Sequence, residues 1–181
     1  ALAEDQGLEV ALVYAQLAAA SNGDPAVANT LLGDIREDME RFEAAISAYE
    51  AVKPDSVLRS NAEIEMAVNL QRLERGAEAK AKLGALIGKE PANYEAIVTL
   101  GNIHRANEEF AAAEAAYTKA LALVPTPAQE HWSVYYYRGI TLERQKLWDR
   151  AEPDFRKALA LNPDQPLVLN YLGYSLVEKK L

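Results

Sequence analysis

Two histidines, no cysteine and a few clustered carboxylates are the only groups in this sequence that invite a chemical reading. His104 and His131 have no second histidine at i+3 or i+4, so neither begins a metal site. His104 reads as a packing residue between helices, and His131, beside a proline-rich stretch, as a solvated one. No serine stands in a nucleophile-elbow context, and no glycine run forms a phosphate cradle. Gly84 and Gly88 have the spacing of a membrane helix-dimer motif, but Lys80, Lys82 and Lys89 surround them. Close helix packing or a weak helix end is the better reading. Asp34, Glu37 and Asp38 fall on one helix face, which suits a cation or a basic peptide. A solvated face with Glu37 paired to Arg41 explains them equally simply. With no nucleophile beside a base, the expectation is a non-enzyme with no cofactor and no metal.

Composition narrows the partners. The chain has 181 residues, 19 Lys and Arg against 27 Asp and Glu, and a net charge of −8. An acidic chain without a basic block is a poor ligand for nucleic acid or an anionic membrane. Absent cysteine removes disulfides and thiol catalysis together. Hydrophobic residues make up 50% of the chain, enough for a core. No apolar run approaches the roughly 20 residues that span a bilayer. Residues 1–10 carry acids where a signal peptide carries bases.

The elements that must position any site come from a repeat. Gly33, Gly101, Gly139 and Gly173 sit in similar apolar contexts, and Ala67 takes the same place once. Their numbers differ by 34, 34, 38 and 34, a fixed period with one four-residue insertion. Ala45, Ala79, Ala113 and Ala151 follow the small residue at twelve positions, and Tyr49, Leu83, Tyr117 and Phe155 come four later. Pro91, Pro125 and Pro163 close three repeats, and Pro54 closes the first early. The small slot lets two helices approach, the alanine faces it, the large residue fills the gap to the next repeat, and proline stops the second helix. Helices are expected over 8–20, 26–39, 42–52, 57–74, 77–89, 93–107, 110–123, 128–145, 148–161 and 167–179, with no strand alternation anywhere.

The period and the run Leu100, Gly101, Ala113, Tyr117, Ala120, Pro125 resemble the tetratricopeptide repeat, a helix–turn–helix unit. The resemblance implies an all-α fold, a right-handed superhelix (α-solenoid) of antiparallel helix pairs. It divides the chain into a partial repeat at 1–25, full repeats at 26–59, 60–93, 94–127 and 132–165, and the first helix of another at 166–181. In the partial first repeat Ala11 and Ala18 take the two alanine places. These unmatched ends suggest a piece of a longer array. A narrower likeness, through Trp132 to Gln145, Trp148, Asp154-Phe155 and Asn162-Pro163-Asp164, is to a proteobacterial group with many exported members. It implies a periplasmic or envelope location, with the cytoplasm as the alternative.

In the resembled family the first helix of each repeat lines a concave groove. Carried over, its N-terminal end holds Asp34, Glu37 and Asp38. Its C-terminal half holds Asn102, Arg105, Tyr136, Ile140, Arg144, Asn170 and Tyr174. Aromatics with arginine favour an interface hot spot, and asparagine both donates to and accepts from a peptide backbone. These seven residues are the expected contact site for a protein or peptide partner. Tyr135 is expected in the core and Tyr136 toward the groove. A chaperone-type carboxylate clamp is not expected, because its lysine is missing where Val98 and Thr30 stand.

The leading expectation is therefore a non-catalytic protein-binding scaffold. A substrate-presenting region of a larger enzyme and a self-assembling module are the alternatives. Self-association is expected through the apolar stripe Leu169, Leu172 and Leu176 of the last helix.

Overall fold

The computed structural model describes residues 2–20 and 25–178. These residues form two compact units, 1–91 and 92–181. In the first, α1 (Leu2–Ala19), α2 (Pro25–Asp38), α3 (Phe42–Glu50), α4 (Arg59–Arg72) and α5 (Gly76–Lys89) each pack on the next in chain order. In the second, α6 (Tyr94–Ala106), α7 (Phe110–Ala122), α8 (Trp132–Arg144), α9 (Trp148–Leu161) and α10 (Pro166–Glu178) do the same, and α6 also touches α8. The described residues contain no strand.

The helix pairs meet where the small slots predict. A methyl group placed on Gly33 would lie 2.3 Å from the Tyr49 ring, on Gly101 2.7 Å from Tyr117, and on Gly139 2.7 Å from Phe155. All three rings are fully buried. Where Ala67 replaces glycine, the residue sixteen further on is the smaller Leu83, also fully buried. Gly101→Leu is expected to cost about 3 kcal/mol through overpacking against a ring that has nowhere to go. Urea denaturation followed by helical signal measures it, and unchanged stability would refute the slot. Gly84 has open space around it, so packing does not explain it. It stands inside α5 and not at a helix end, and Gly84→Ala is expected to add about 0.5–1 kcal/mol in the same assay.

Each tight turn between paired helices is closed by a non-glycine residue in the left-handed region: Glu40, Glu74, Glu108 and Lys146, with φ of 56–64°. The hydrogen bonds repeat as well. Arg75 N–H donates to Leu70 C=O and Glu74 N–H to Gln71 C=O, and the other three turns do likewise. This is a Schellman ending, which satisfies carbonyls the helix leaves open. It also shortens the expected helices at their C-terminal ends.

The insertion does not extend a helix. Ala128 is extended, a 3₁₀ turn covers Gln129–His131, and α8 starts at Trp132 rather than at 128. His131, expected in solvent, is instead packed edge-on against Tyr94 with ring centroids 5.7 Å apart. Its Nδ1 accepts from the Ala128 N–H at 3.0 Å. The extra residues are folded back onto α6 by this imidazole. His104 lies half-buried at the turn between α6 and α7, bonded through Nδ1 to the Glu109 carboxylate.

Candidate functional site

Within residues 92–181, α6, α8 and α10 carry the seven expected contact residues. The structure separates them into three kinds.

Tyr136 is a core residue, and its expected place in the groove is corrected here. It is 7% exposed and surrounded by the rings of Trp132, Tyr137, Phe155 and Tyr171, with centroids 5.3–6.1 Å away. Packing of α10 on the pair α8–α9 closes over it. Tyr135, expected in the core, is partly buried and packs against it, with the Arg138 guanidinium 5.7 Å from its ring centroid.

Asn102 is half-buried and turns its Oδ1 to a core tyrosine. The Tyr117 hydroxyl donates to Asn102 Oδ1 at 2.8 Å and accepts from Arg105 Nε at 3.3 Å. The same link recurs in the first unit, where the Tyr49 hydroxyl donates to Asp34 Oδ1 at 2.7 Å. Both polar partners directly follow a small slot, and both serve a tyrosine fifteen residues on. Where the large slot holds Leu83 or Phe155, the matching residue is apolar, Val68 or Ile140. A buried phenol needs a partner, and a buried phenyl does not. This two-residue correlation was visible in the sequence and went unread. It removes much of the reason for treating Asp34 as a ligand. Glu37 is likewise engaged, by Arg72 at 3.1 Å and by the Asn69 amide at 3.0 Å, not by Arg41. Arg41 pairs with Glu9.

Arg105, Ile140 and Arg144 do come together. They line one open groove of about 440 Å³ with Ala106, Glu108, Phe110 and Tyr171. The Arg105 guanidinium lies over the Tyr137 ring, 4.3 Å from its centroid, and that of Arg144 over Phe110 at 5.7 Å. Aromatic faces thus hold both cations in place. Phe110 and Tyr171 belong to this groove and were missed, because neither falls on a groove position of the resembled family. Tyr171 is fixed by donating its hydroxyl to Glu143 at 2.9 Å. Asn170 and Tyr174 are exposed on α10 outside this groove, Tyr174 at 78%. On the same helix Leu169 is exposed, whereas Leu172 is buried in the cluster containing Phe155. Leu172 therefore drops out of the expected self-association stripe, and the side chain of Leu176 lies outside the described residues.

Three phenols resist ionisation. Burial pushes Tyr117 up to about 12, with Arg105 opposing it. Burial also raises Tyr49, helped by Asp34, and Tyr171, helped by Glu143. The folded chain holds these protons more tightly than the unfolded chain, whose tyrosines titrate near pH 10. The stabilisation is complete below about pH 10 and is lost as pH rises through the folded values. The urea midpoint of the helical signal is expected to start falling between pH 10 and about 12. A midpoint unchanged across that interval would contradict the burial of these hydroxyls.

Among the described residues no group of three His, Asp or Glu side chains is placed to hold one metal ion. No helix there is long and apolar enough to cross a membrane.

Comparison with known proteins comes down to the same architecture. One tetratricopeptide repeat model matches residues 64–126 and 98–166, and a second matches 26–53. The human protein O-mannosyl-transferase TMTC1 is 26% identical over 134 residues, 74% of this chain. The chain matches only 15% of that protein's length. MamA from Desulfovibrio magneticus RS-1 superposes with a TM-score of 0.70 at 20% identity, covering 88% of each chain. YrrB, a TPR protein with an unusual peptide-binding site, gives 0.67 at 20% identity over 99% of this chain and 87% of its own. The APC/C hetero-tetramer Cut9–Hcn1 gives 0.75 at 16% identity, over 96% of this chain and 34% of that one. At these identities the structural likenesses carry the fold alone.

Proposed function

The chain belongs to the tetratricopeptide repeat family, and from that premise we propose that it is a non-catalytic scaffold gripping an extended segment of a partner protein along α6, α8 and α10. The family supports an interaction scaffold in general terms, and the step from fold to a specific groove is an analogy. One observation carries that step. The groove between Arg105, Phe110, Ile140, Arg144 and Tyr171 has a mainly polar lining with an apolar strip, and it carries two guanidinium groups seated on rings. Arginine beside aromatic surface is the composition that binding hot spots favour. YrrB offers a precedent for peptide binding on this fold.

Photo-crosslinking tests the reading. A benzoylphenylalanine replacing Arg144 is expected to trap a partner that the same group at Ala115, exposed on α7, does not trap. Equal trapping from both positions would place the partner elsewhere and end the groove reading.

A second reading has one observation behind it. The likeness to TMTC1 falls on a small part of a mannosyl-transferase. The same face would then present a substrate protein to a catalytic domain in the same polypeptide. The identity of the trapped species separates the two readings, since here it would be a substrate of that domain.

A further inference from the structure

We infer that the groove on α6 and α8 selects an acidic residue, a Glu or Asp side chain within an extended segment, with an apolar neighbour laid against Ile140 and Phe110. This rests on the reading of that groove as a peptide site and names the chemistry of what enters it.

Arg59, Arg72, Arg75, Arg138, Arg150 and Arg156 each pair with a carboxylate of the same chain. With eight more acids than bases, the chain has carboxylates to spare. Arg36 is satisfied by the Ala44 carbonyl, whereas Arg105 and Arg144 have no ion pair among the described residues and line the same groove. Each is steadied by a ring instead. Arg105 Nε is satisfied by Tyr117, which leaves its two terminal nitrogens as donors. The Arg144 side chain makes no hydrogen bond among the described residues, and it is exposed. A guanidinium fixed by stacking loses little freedom when a carboxylate docks on its edge. Two of them facing one groove define an anionic subsite.

Other features refine the ligand. Phe110, Ile140, Ala106 and Tyr171 give the wall an apolar stretch for the neighbouring side chain. Asn102, whose amide N–H would help grip a main-chain carboxylate, does not line this groove, and its Oδ1 is turned to Tyr117. An internal acidic side chain is therefore favoured over a chain terminus. Glu108 lines the same groove and opposes any anion there. Removing its charge is expected to tighten binding.

The test uses the full chain and three fluorescent pools of degenerate nine-residue peptides. Two are blocked at both ends and centred on Leu-Glu or Leu-Gln, and the third is a Leu-Gln pool with a free C-terminus. Anisotropy titration is expected to favour Leu-Glu over blocked Leu-Gln by about tenfold, the value of one good charge-assisted bond. Arg144→Gln changes an exposed side chain, which preserves the fold, and is expected to bring that ratio close to one. Glu108→Gln is expected to raise affinity for the Leu-Glu pool.

Equal binding of both blocked pools, weakened in common by Ile140→Ala, would overturn the acidic class and leave the peptide groove standing. Preference for the free-terminus pool would overturn it in favour of a terminal carboxylate. No binding by any pool, or binding untouched by both Arg144→Gln and Ile140→Ala, would overturn the groove as well.

Discussion

Tyr136→Ala is expected to unfold residues 92–181 at markedly lower denaturant, with a loss of about 4 kcal/mol, the usual cost of truncating a buried aromatic. Four rings surround Tyr136 at centroid distances of 5.3–6.1 Å. All four, with Tyr136 itself, belong to one cluster that ties α8, α9 and α10 together. Alanine leaves a void that these helices cannot close without giving up their own contacts. Tyr136→Phe keeps the ring and is expected to cost under about 1 kcal/mol, since the phenol makes no hydrogen bond in the structure. Urea denaturation of both variants, followed by helical signal, decides the matter. A Tyr136→Ala chain of undiminished stability that loses its partner would return this residue to the groove.

Asp154→Ala is expected to cost about 4 kcal/mol, because it strands a half-buried guanidinium. Arg138 on α8 donates to both oxygens of Asp154 on α9, each at 2.7 Å, and the two side chains are 21% and 8% exposed. The pair is bidentate, and the same guanidinium reaches Thr118 on α7 at 3.3 Å. The Asp154 hydrogen bond holds the Arg138 guanidinium above its ordinary value, and without that bond the guanidinium is still a cation at neutral pH. Replacing both residues, as Arg138→Met with Asp154→Leu, is expected to recover most of the loss. A double-mutant cycle reads the coupling directly. Additive single losses would mean that the two side chains do not depend on each other.

Most of the fold could be read from the spacing of a few residues. Gly33, Gly101 and Gly139 announce the close helix contacts, and Tyr49, Tyr117 and Phe155 name what fills them. Helix ends were less legible. The turns at Glu40, Glu74, Glu108 and Lys146 use a backbone conformation usually signalled by glycine, and here no glycine signals it. The insertion was seen, but its outcome depends on His131 finding Tyr94, a contact between residues 37 apart in number.

The candidate site was half legible. Arg105, Ile140 and Arg144 come from family positions and do share a groove. Tyr136 shows the limit of such a transfer. A position that faces the groove in an isolated pair is covered once a neighbouring helix brings a residue as large as Tyr171 against it. Phe110 and Tyr171 enter the groove for the converse reason. Their side chains reach it from neighbouring helices, and reach cannot be counted from sequence offsets.

The bond from Tyr117 to Asn102, and its counterpart from Tyr49 to Asp34, has a consequence for how such a protein can change over time. Replacing either tyrosine by phenylalanine returns Asp34, which is exposed, or Asn102, which is half-buried, to water. Replacing Asn102 by an aliphatic residue removes the acceptor of a buried hydroxyl, which then keeps only the bond it accepts from Arg105. The order of exchange therefore matters: phenylalanine first is the cheap step, and Ile140 with Phe155 is the paired end state. Repeats that descend from one another by duplication would thus drift in that order at these places. The alphabet available for new recognition is correspondingly shorter than the list of outward positions, and variation free of this constraint concentrates at places such as Arg144, Asn170 and Tyr174.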